Sequence, residues 1–356
     1  MRKYKSFFNN KKVIITGHTG FKGSWLTLWL QSLGANILGI SNDIPTKPSH
    51  FQLLNLNRNI KSKKINIQNL KLLKQTIVKF NPDYIFHLAA QAIVKKSYKD
   101  PVETWQTNLL GTLNILESIR NLGKKRLIVT IITSDKVYKN VETKKGYKEN
   151  SILGGVDPYG ASKSAAEICI QSYIKSFFSN KNKISIVTAR AGNVIGGGDW
   201  SENRLIPDCI RSWSKNKFVI IRNQNSTRPW QNILDVVNAY LNLSIKAKIF
   251  NRLHGHAFNF GPSMNNNFKV SDVLKKTKFF WKEAKWKVKK NEKFYENNLL
   301  NLNTSKAKKI LKYKPLLNFH QTIQFTISWY KDYYKNKKRS VKSISLSQIK
   351  DFEKLI

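Results

Sequence analysis

Two stretches of this chain combine residue types and spacings that can do chemistry. In DPYGASKSAAE, Tyr159 and Lys163 stand four apart, which puts them on one face of a helix. A neighbouring ammonium stabilises phenolate over phenol, so Lys163 is expected to draw the Tyr159 pKa down towards the working pH and make the phenol a usable base. Alone, such a pair also reads as an ordinary surface pair. In TSDKVY, residues 133–138, the acid Asp135 lies beside the base Lys136 where a buried strand should end. Ser134, at the same strand end, offers a hydroxyl that can hold a substrate hydroxyl while Tyr159 takes its proton. Adjacent residues in a regular strand point to opposite faces, so Asp135 and Lys136 can meet one substrate only if the strand stops there. The plainer alternative is an ion pair closing the strand end.

A third motif, VIITGHTGFKGSW, sets Gly17, Gly20 and Gly23 between a buried strand and a helix that begins near Phe21. Missing side chains let the chain turn sharply, let the backbone approach a pyrophosphate and let the helix pack on the sheet, its first N–H groups facing the phosphates. The triplet falls at the first strand-to-helix turn of a βαβ series, which makes it a dinucleotide motif rather than a tight turn alone. After the second strand, Asp43 in GISNDIP can hold an adenosine ribose and so favour NAD, or serve only as loop. KINIQN puts Asn66 where an Asp is the more usual adenine partner.

These residues need a frame, and the apolar patterning supplies one. KKVIITG, NILGIS, YIFHLAA, RLIVTIITS and ISIVTARAG alternate with amphipathic stretches at 21–33, 69–80, 102–122 and 160–178. The rhythm predicts an α/β fold, a doubly wound parallel sheet of the Rossmann kind, with a smaller C-terminal domain where it loosens after about residue 190. GGGDW and NSTRPW read as loops and HAFNFGP as a late strand. The expected division is 1–188 with 231–262 returning to it, then 189–230 with 263–335, and 336–356 as a basic, solvated tail.

Composition narrows the function further. The chain has 63 Lys and Arg against 21 Asp and Glu, a net +42, but only 11 of the 63 are Arg and the Lys excess is spread along the chain. No zinc-finger spacing, basic heptad region or aromatic RNA-binding signature accompanies it, so nucleic acid is not the expected partner; anionic small molecules are. Cys169 and Cys209 read as reduced core residues without metal-ligand spacing. No apolar run reaches the roughly 18 residues a membrane helix needs, and MRKYKSFFNN lacks a secretory core. The expected location is the cytoplasm.

TGHTGFKG, HLAAQ, TNLLGT, TSDKVY, YGASK and RAGNVIGGGDW together resemble the extended short-chain dehydrogenase/reductases that act on nucleotide sugars, over about residues 11–335. Within them, Lys136 after Asp135, with GGGDW and RPWQ, resembles a 4,6-dehydratase. The resemblance implies bound NAD contacted by Gly17, Thr19, Gly20, Phe21, Gly23, Asp43, Leu88, Ala89, Ala90, Tyr159 and Lys163. It implies a redox-neutral elimination in which Tyr159 takes the 4-hydroxyl proton and hydride leaves C4 and later returns to C6. Asp135 would act as the acid at the C6 hydroxyl, and Lys136, neutral at that moment, as the base at C5. Asn193 and Arg228 match positions that hold the nucleotide diphosphate, and Arg suits it because its planar fork donates in pairs. Trp200, Arg204 and Trp230 would be pocket wall or base contacts, with packing as the alternative for each Trp; Asn259 is a further candidate, and Asn108 is expected to fix backbone. Two departures stand out, Asn66 and the Tyr295 before Glu296 where a His is common. A homodimer or homotetramer is implied, through helices 102–122 and 160–178. Another nucleotide-sugar dehydratase or epimerase, or a non-catalytic NAD- or nucleic-acid-binding protein, are the competing classes.

Overall fold

The computed structural model describes residues 2–122, 126–143, 145–178, 183–262, 268–289, 299–336 and 338–356. Seven parallel strands form one sheet: β1 (Lys12–Thr16), β2 (Asn36–Ser41), β3 (Lys61–Lys64), β4 (Tyr84–His87), β5 (Leu127–Ile132), β6 (Ile184–Ala191) and β7 (Ala257–Phe260), in the order β7-β6-β5-β4-β1-β2-β3. The strand order reverses between β1 and β4, so the crevice beyond their carboxyl ends is where a doubly wound sheet binds ligands. Val13, Ile15, Tyr84 and Phe86 pack on one face; Ile14, Leu38, Ile85 and Val129 pack on the other. Covering both faces with helices is why these strands read as unbroken apolar runs.

Helices Leu70–Phe80, Gly111–Ile119 and Pro158–Phe177 cover the second face, and Phe21–Ser32 and Ile233–Ile249 the first. Asp157 caps Pro158–Phe177 by accepting from Gly160 N at 3.0 Å, with Pro158 in the first turn, where its missing N–H costs nothing. Among the described residues no helix is long and apolar enough to cross a membrane. Cys169 and Cys209 are free thiols, the second fully buried.

Three features depart from the expected pattern. Strand β3, KSKK, carries no apolar residue and is exposed throughout, because an edge strand needs only one partner and its lysines discourage another. The single helix expected over 102–122 is broken by a π-turn at Gln106–Leu110. The expected tail is the third correction: Val341–Glu353 is a helix capped by Ser340, with Val341, Ile344, Ile349 and Phe352 buried in the main core. Burial of each side chain contributes on the order of 1.5–3 kcal/mol, enough to dock a helix that the preceding lysines made look solvated.

Candidate active site

One large cavity, about 1530 Å³, opens along the carboxyl ends of β1, β2, β4, β5 and β6. A single small-molecule site fills roughly 300–1,000 Å³, so this one has room for two ligands end to end. Its floor begins at the turn after β1, where the three glycines do different work. Gly17 has φ +74°, and a Cβ there would lie 2.7 Å from Ala89 N. A Cβ on Gly23 would lie 2.1 Å from Gly17 O, so this glycine lets the helix close on the turn. Gly20 is the N-cap of Phe21–Ser32 without a side-chain cap, and a Cβ there would meet only Gly17 O, at 3.4 Å. Backbone N–H groups of that first turn are thus open to a phosphate.

His18 braces this turn, bonding Ser41 Oγ and Ser62 Oγ at 2.8 Å each, and burial lowers its pKa to about 4, so the ring is neutral. Thr19 Oγ1 donates to Asp43 O at 2.7 Å, which leaves the Asp43 side chain to line the cavity together with Thr19, Phe21, Leu88, Ala89 and Ala90. Asn66 also lines it while accepting from Gln68 N at 3.0 Å. Asn108, carried inward by the π-turn, accepts from Gln91 N at 2.9 Å and donates to Gln91 O and Ser162 Oγ, so it ties the loop after β4 to Pro158–Phe177.

Strand β5 stops at Ile132, and Asp135–Val137 forms a single 3₁₀ turn capped by Ser134, whose Oγ accepts from Lys136 N at 3.2 Å. The strand alternation that would separate Asp135 from Lys136 is broken there, and both line the cavity with Ser134, Tyr159 and Lys163. Asp135 is 3 % exposed, with Oδ1 accepting from Ser134 Oγ at 3.0 Å and Oδ2 from Asn193 Nδ2 at 3.4 Å. Gly192 makes room for it: a Cβ there would sit 1.9 Å from Asp135 Oδ2. No ion pair joins Asp135 to Lys136 among the described residues.

The expected depression of the Tyr159 pKa is not what the free protein shows. Burial pushes the phenol up to about 12, Asp135 adds to the rise, and a hydrogen bond with Ser134 only partly opposes it. Burial likewise lowers Lys163 to about 8, against the pull of Glu167, with Nζ 3.5 Å from Ile132 O. Both side chains line the cavity from one helix, but desolvation dominates the phenol, and the cation that opposes it is Arg204.

From the segments that follow β6, Asn193, Trp200, Arg204, Arg228 and Trp230 also line the cavity. Arg204 pairs with Asp199 at 3.0 Å, and Arg228 Nη1 donates to Thr227 O at 2.8 Å. Trp200 is 4 % exposed against the rings of Trp329, Tyr330 and Tyr333, and Trp230 Nε1 donates to Phe268 O, so both are mainly wall. Asn259 does not reach the cavity. It is fully buried, accepting from the Tyr138 hydroxyl and donating both amide hydrogens, to Tyr147 O and Asn303 O, as a structural clamp. Tyr295 and Glu296 lie outside the described residues.

Four contributors escaped the sequence reading. Lys22 and Gly192 stand inside motifs whose other residues drew attention. Glu167 and Arg190 form a buried fork, Nε–Oε1 2.9 Å and Nη2–Oε2 3.0 Å, reinforced by Thr133 Oγ1 on Oε1 at 2.6 Å and by Arg190 Nη1 donating to the Tyr138 hydroxyl at 2.7 Å. Their signal was available: Arg190 is the one charge inside a strand that otherwise has none, and Glu167 follows Lys163 by one helical turn.

A parallel sheet with a glycine turn at its switch point and Ser134, Tyr159 and Lys163 beside it is the frame of an extended short-chain dehydrogenase/reductase. A sequence profile of the GDP-mannose 4,6 dehydratase family matches residues 14–326, and the chain belongs to that family. It is 39% identical over 332 residues to CDP-glucose 4,6-dehydratase of Salmonella typhimurium, covering 92% of each chain. It is 32% identical over 282 residues to dTDP-D-glucose 4,6-dehydratase of Dictyostelium discoideum, covering 75% of this chain and 61% of that one. Its fold superposes with a TM-score of 0.77 on UDP-glucuronic acid 4-epimerase from Bacillus cereus, solved with UDP-glucuronic acid and NAD, at 23% identity over 91% of this chain and 100% of that one.

Proposed function

We propose that the protein is a cytoplasmic CDP-glucose 4,6-dehydratase, converting CDP-D-glucose to CDP-4-keto-6-deoxy-D-glucose and water with NAD retained. The observation that carries this reading is the convergence of Ser134, Asp135, Lys136 and Tyr159 on one cavity wall. The uncapped turn at Gly20 and the space kept by Gly17 and Gly23 fit a dinucleotide pyrophosphate, with Asp43 and Leu88–Ala90 along the rest of its length. NAD, when bound, supplies the oxidant for C4 and returns the same hydride to C6.

The chain's own residues handle the protons. Ser134 and Tyr159 hold the C4 hydroxyl, and Tyr159 takes its proton as C4 becomes a ketone, which acidifies C5–H. Lys136 removes the C5 proton while Asp135 protonates the departing C6 hydroxyl, releasing water; Lys136 later returns its proton to C5. Tyr159 begins as a phenol and passes its own proton through Ser134 to Asp135 as it accepts that of C4. Ser134 is hydrogen-bonded to the phenol and donates to Asp135 Oδ1, so Asp135 receives the proton it then gives to C6 and every group ends as it began. Incubation with CDP-, UDP-, GDP- and dTDP-hexoses should give a product lighter by one water from CDP-glucose. Lys136→Met should still form reduced cofactor on substrate but release no water. Absence of dehydration from every hexose, or an undiminished yield from Lys136→Met, would refute the assignment.

The same reading supplies a second copy of this chain as partner. Val102, Leu110, Ile168 and Phe177, on the helical run 101–119 and on Pro158–Phe177, are 63%, 47%, 60% and 44% exposed in the single chain. Such apolar exposure on two long helical segments suits a helix-on-helix contact. Light scattering should report at least twice 41.2 kDa; a monomer at micromolar concentration would rule the contact out.

A further inference from the structure

Lys22 is the second residue of helix Phe21–Ser32 and is not needed for the glycine turn around it. Its side chain is partly buried in the cavity wall. The charged groups around it come mostly from elsewhere: Arg204, Asp135, Lys163 and Asp199. Both carboxylates are already engaged. Asp199 accepts from Arg204 at 3.0 Å and from Ser201 N at 2.9 Å, and Asp135 accepts from Ser134 and Asn193. Lys22 has no hydrogen bond or ion pair among the described residues. Burial lowers its pKa to about 8, and Arg204 is the strongest charged contributor to that fall.

Three cations, Lys22, Arg204 and Lys163, thus share a partly desolvated space with two carboxylates, and Asp199 is already paired with Arg204. Like charges brought together repel unless an anion lies between them, so the Lys22 ammonium is left for an anionic ligand. Arg204 and Asp199 belong to the 193–204 segment, which carries residues assigned to the substrate and packs on Lys22's own helix, Trp25 Nε1 donating to Gly197 O at 2.8 Å, so that anion lies on the substrate side. We propose that Lys22 is a substrate-binding residue, gripping the diphosphate of the nucleotide sugar from the helix after the glycine turn while Arg204 and Arg228 grip it from the segments that follow β6. This rests on the nucleotide-sugar reading above. An ammonium suits the role because a point charge on a flexible stem can reach across without the fixed geometry of an arginine fork.

The test is titration calorimetry of the NAD-loaded protein with CDP and with cytidine. Lys22→Met should weaken CDP binding roughly tenfold or more, the scale of a lost charge-assisted contact, while cytidine affinity and bound NAD content stay at wild-type values. Lys22→Arg should recover part of the loss, which separates charge from packing. A diphosphate on Lys22 holds its proton, so wild-type CDP affinity should fall above pH 8 more steeply than that of Lys22→Met, in which Lys163 still titrates beside Arg204, Asp135 and Asp199. Unchanged CDP affinity in Lys22→Met, or an equal loss of NAD, would overturn the proposal. A wild-type protein that binds no CDP would instead sink the nucleotide-sugar reading.

Discussion

Tyr159→Phe should lower kcat for dehydration by about 10²–10⁴-fold, the range spanned by a positioned general acid or base, while leaving CDP affinity unchanged. The ring stays in its buried site and only the hydroxyl is lost, so packing is preserved. The argument turns on the protonation state of the free protein. Burial holds the phenol at about 12, so at neutral pH it starts neutral and hydrogen-bonded to Ser134. It becomes a base only if its own proton can move as the C4 proton arrives, and the Ser134–Asp135 contact at 3.0 Å provides that route. Ser134→Ala should then fall in the same direction as Tyr159→Phe, and the double variant should fall little further, because two links of one relay are not additive. Turnover by Tyr159→Phe within tenfold of wild type, measured by mass on the product, would remove the phenol from the chemistry.

Glu167→Gln should cost about 3–5 kcal/mol of stability, the penalty for stranding one member of a buried ion pair. Glu167 is wholly buried and Arg190 is 3 % exposed. Although burial opposes it, the field of Glu167 and the Tyr138 hydroxyl hold the Arg190 guanidinium charged more firmly than usual. A loss of that size is a large share of the 5–15 kcal/mol typical of a folded protein, and thermal unfolding should show it as a clear drop in Tm. Replacing both partners by apolar residues of similar volume, Glu167→Leu with Arg190→Met, should return most of the Tm, since no charge is left unpaired. Activity should not return with it. Thr133 and Tyr138 flank the Ser134–Val137 turn and are both anchored on this pair, so the turn loses its fixed aim even when the core is repaired. A double variant no more stable than Glu167→Gln would show that the loss does not come from a stranded charge.

Much of this architecture was legible before any coordinates. Six of the seven strands announce themselves as apolar runs because both sheet faces are covered, and the glycine triplet and the Tyr159/Lys163 spacing depend only on local geometry. Strand β3 and the helix Val341–Glu353 were hidden for opposite reasons: an edge strand needs no apolar residue, and a lysine-rich approach masked an apolar helical stripe.

By itself, then, the order of residues determined the doubly wound sheet, the dinucleotide turn and which side chains could do chemistry, since strand period, helical spacing and a glycine's freedom act over a few positions. Only the tertiary structure decided how those side chains are aimed and charged. The 3₁₀ turn that brings Asp135 and Lys136 to one cavity is steadied by Asn193, 58 residues away, and Gly192 beside it leaves the room. Asn259 was withdrawn from the site by partners at Tyr138 and Asn303, and Lys22 was brought within the field of Arg204 from a distant part of the sequence. Burial and charge proximity are properties of the packed chain, and they set the proton chemistry that spacing alone could only suggest.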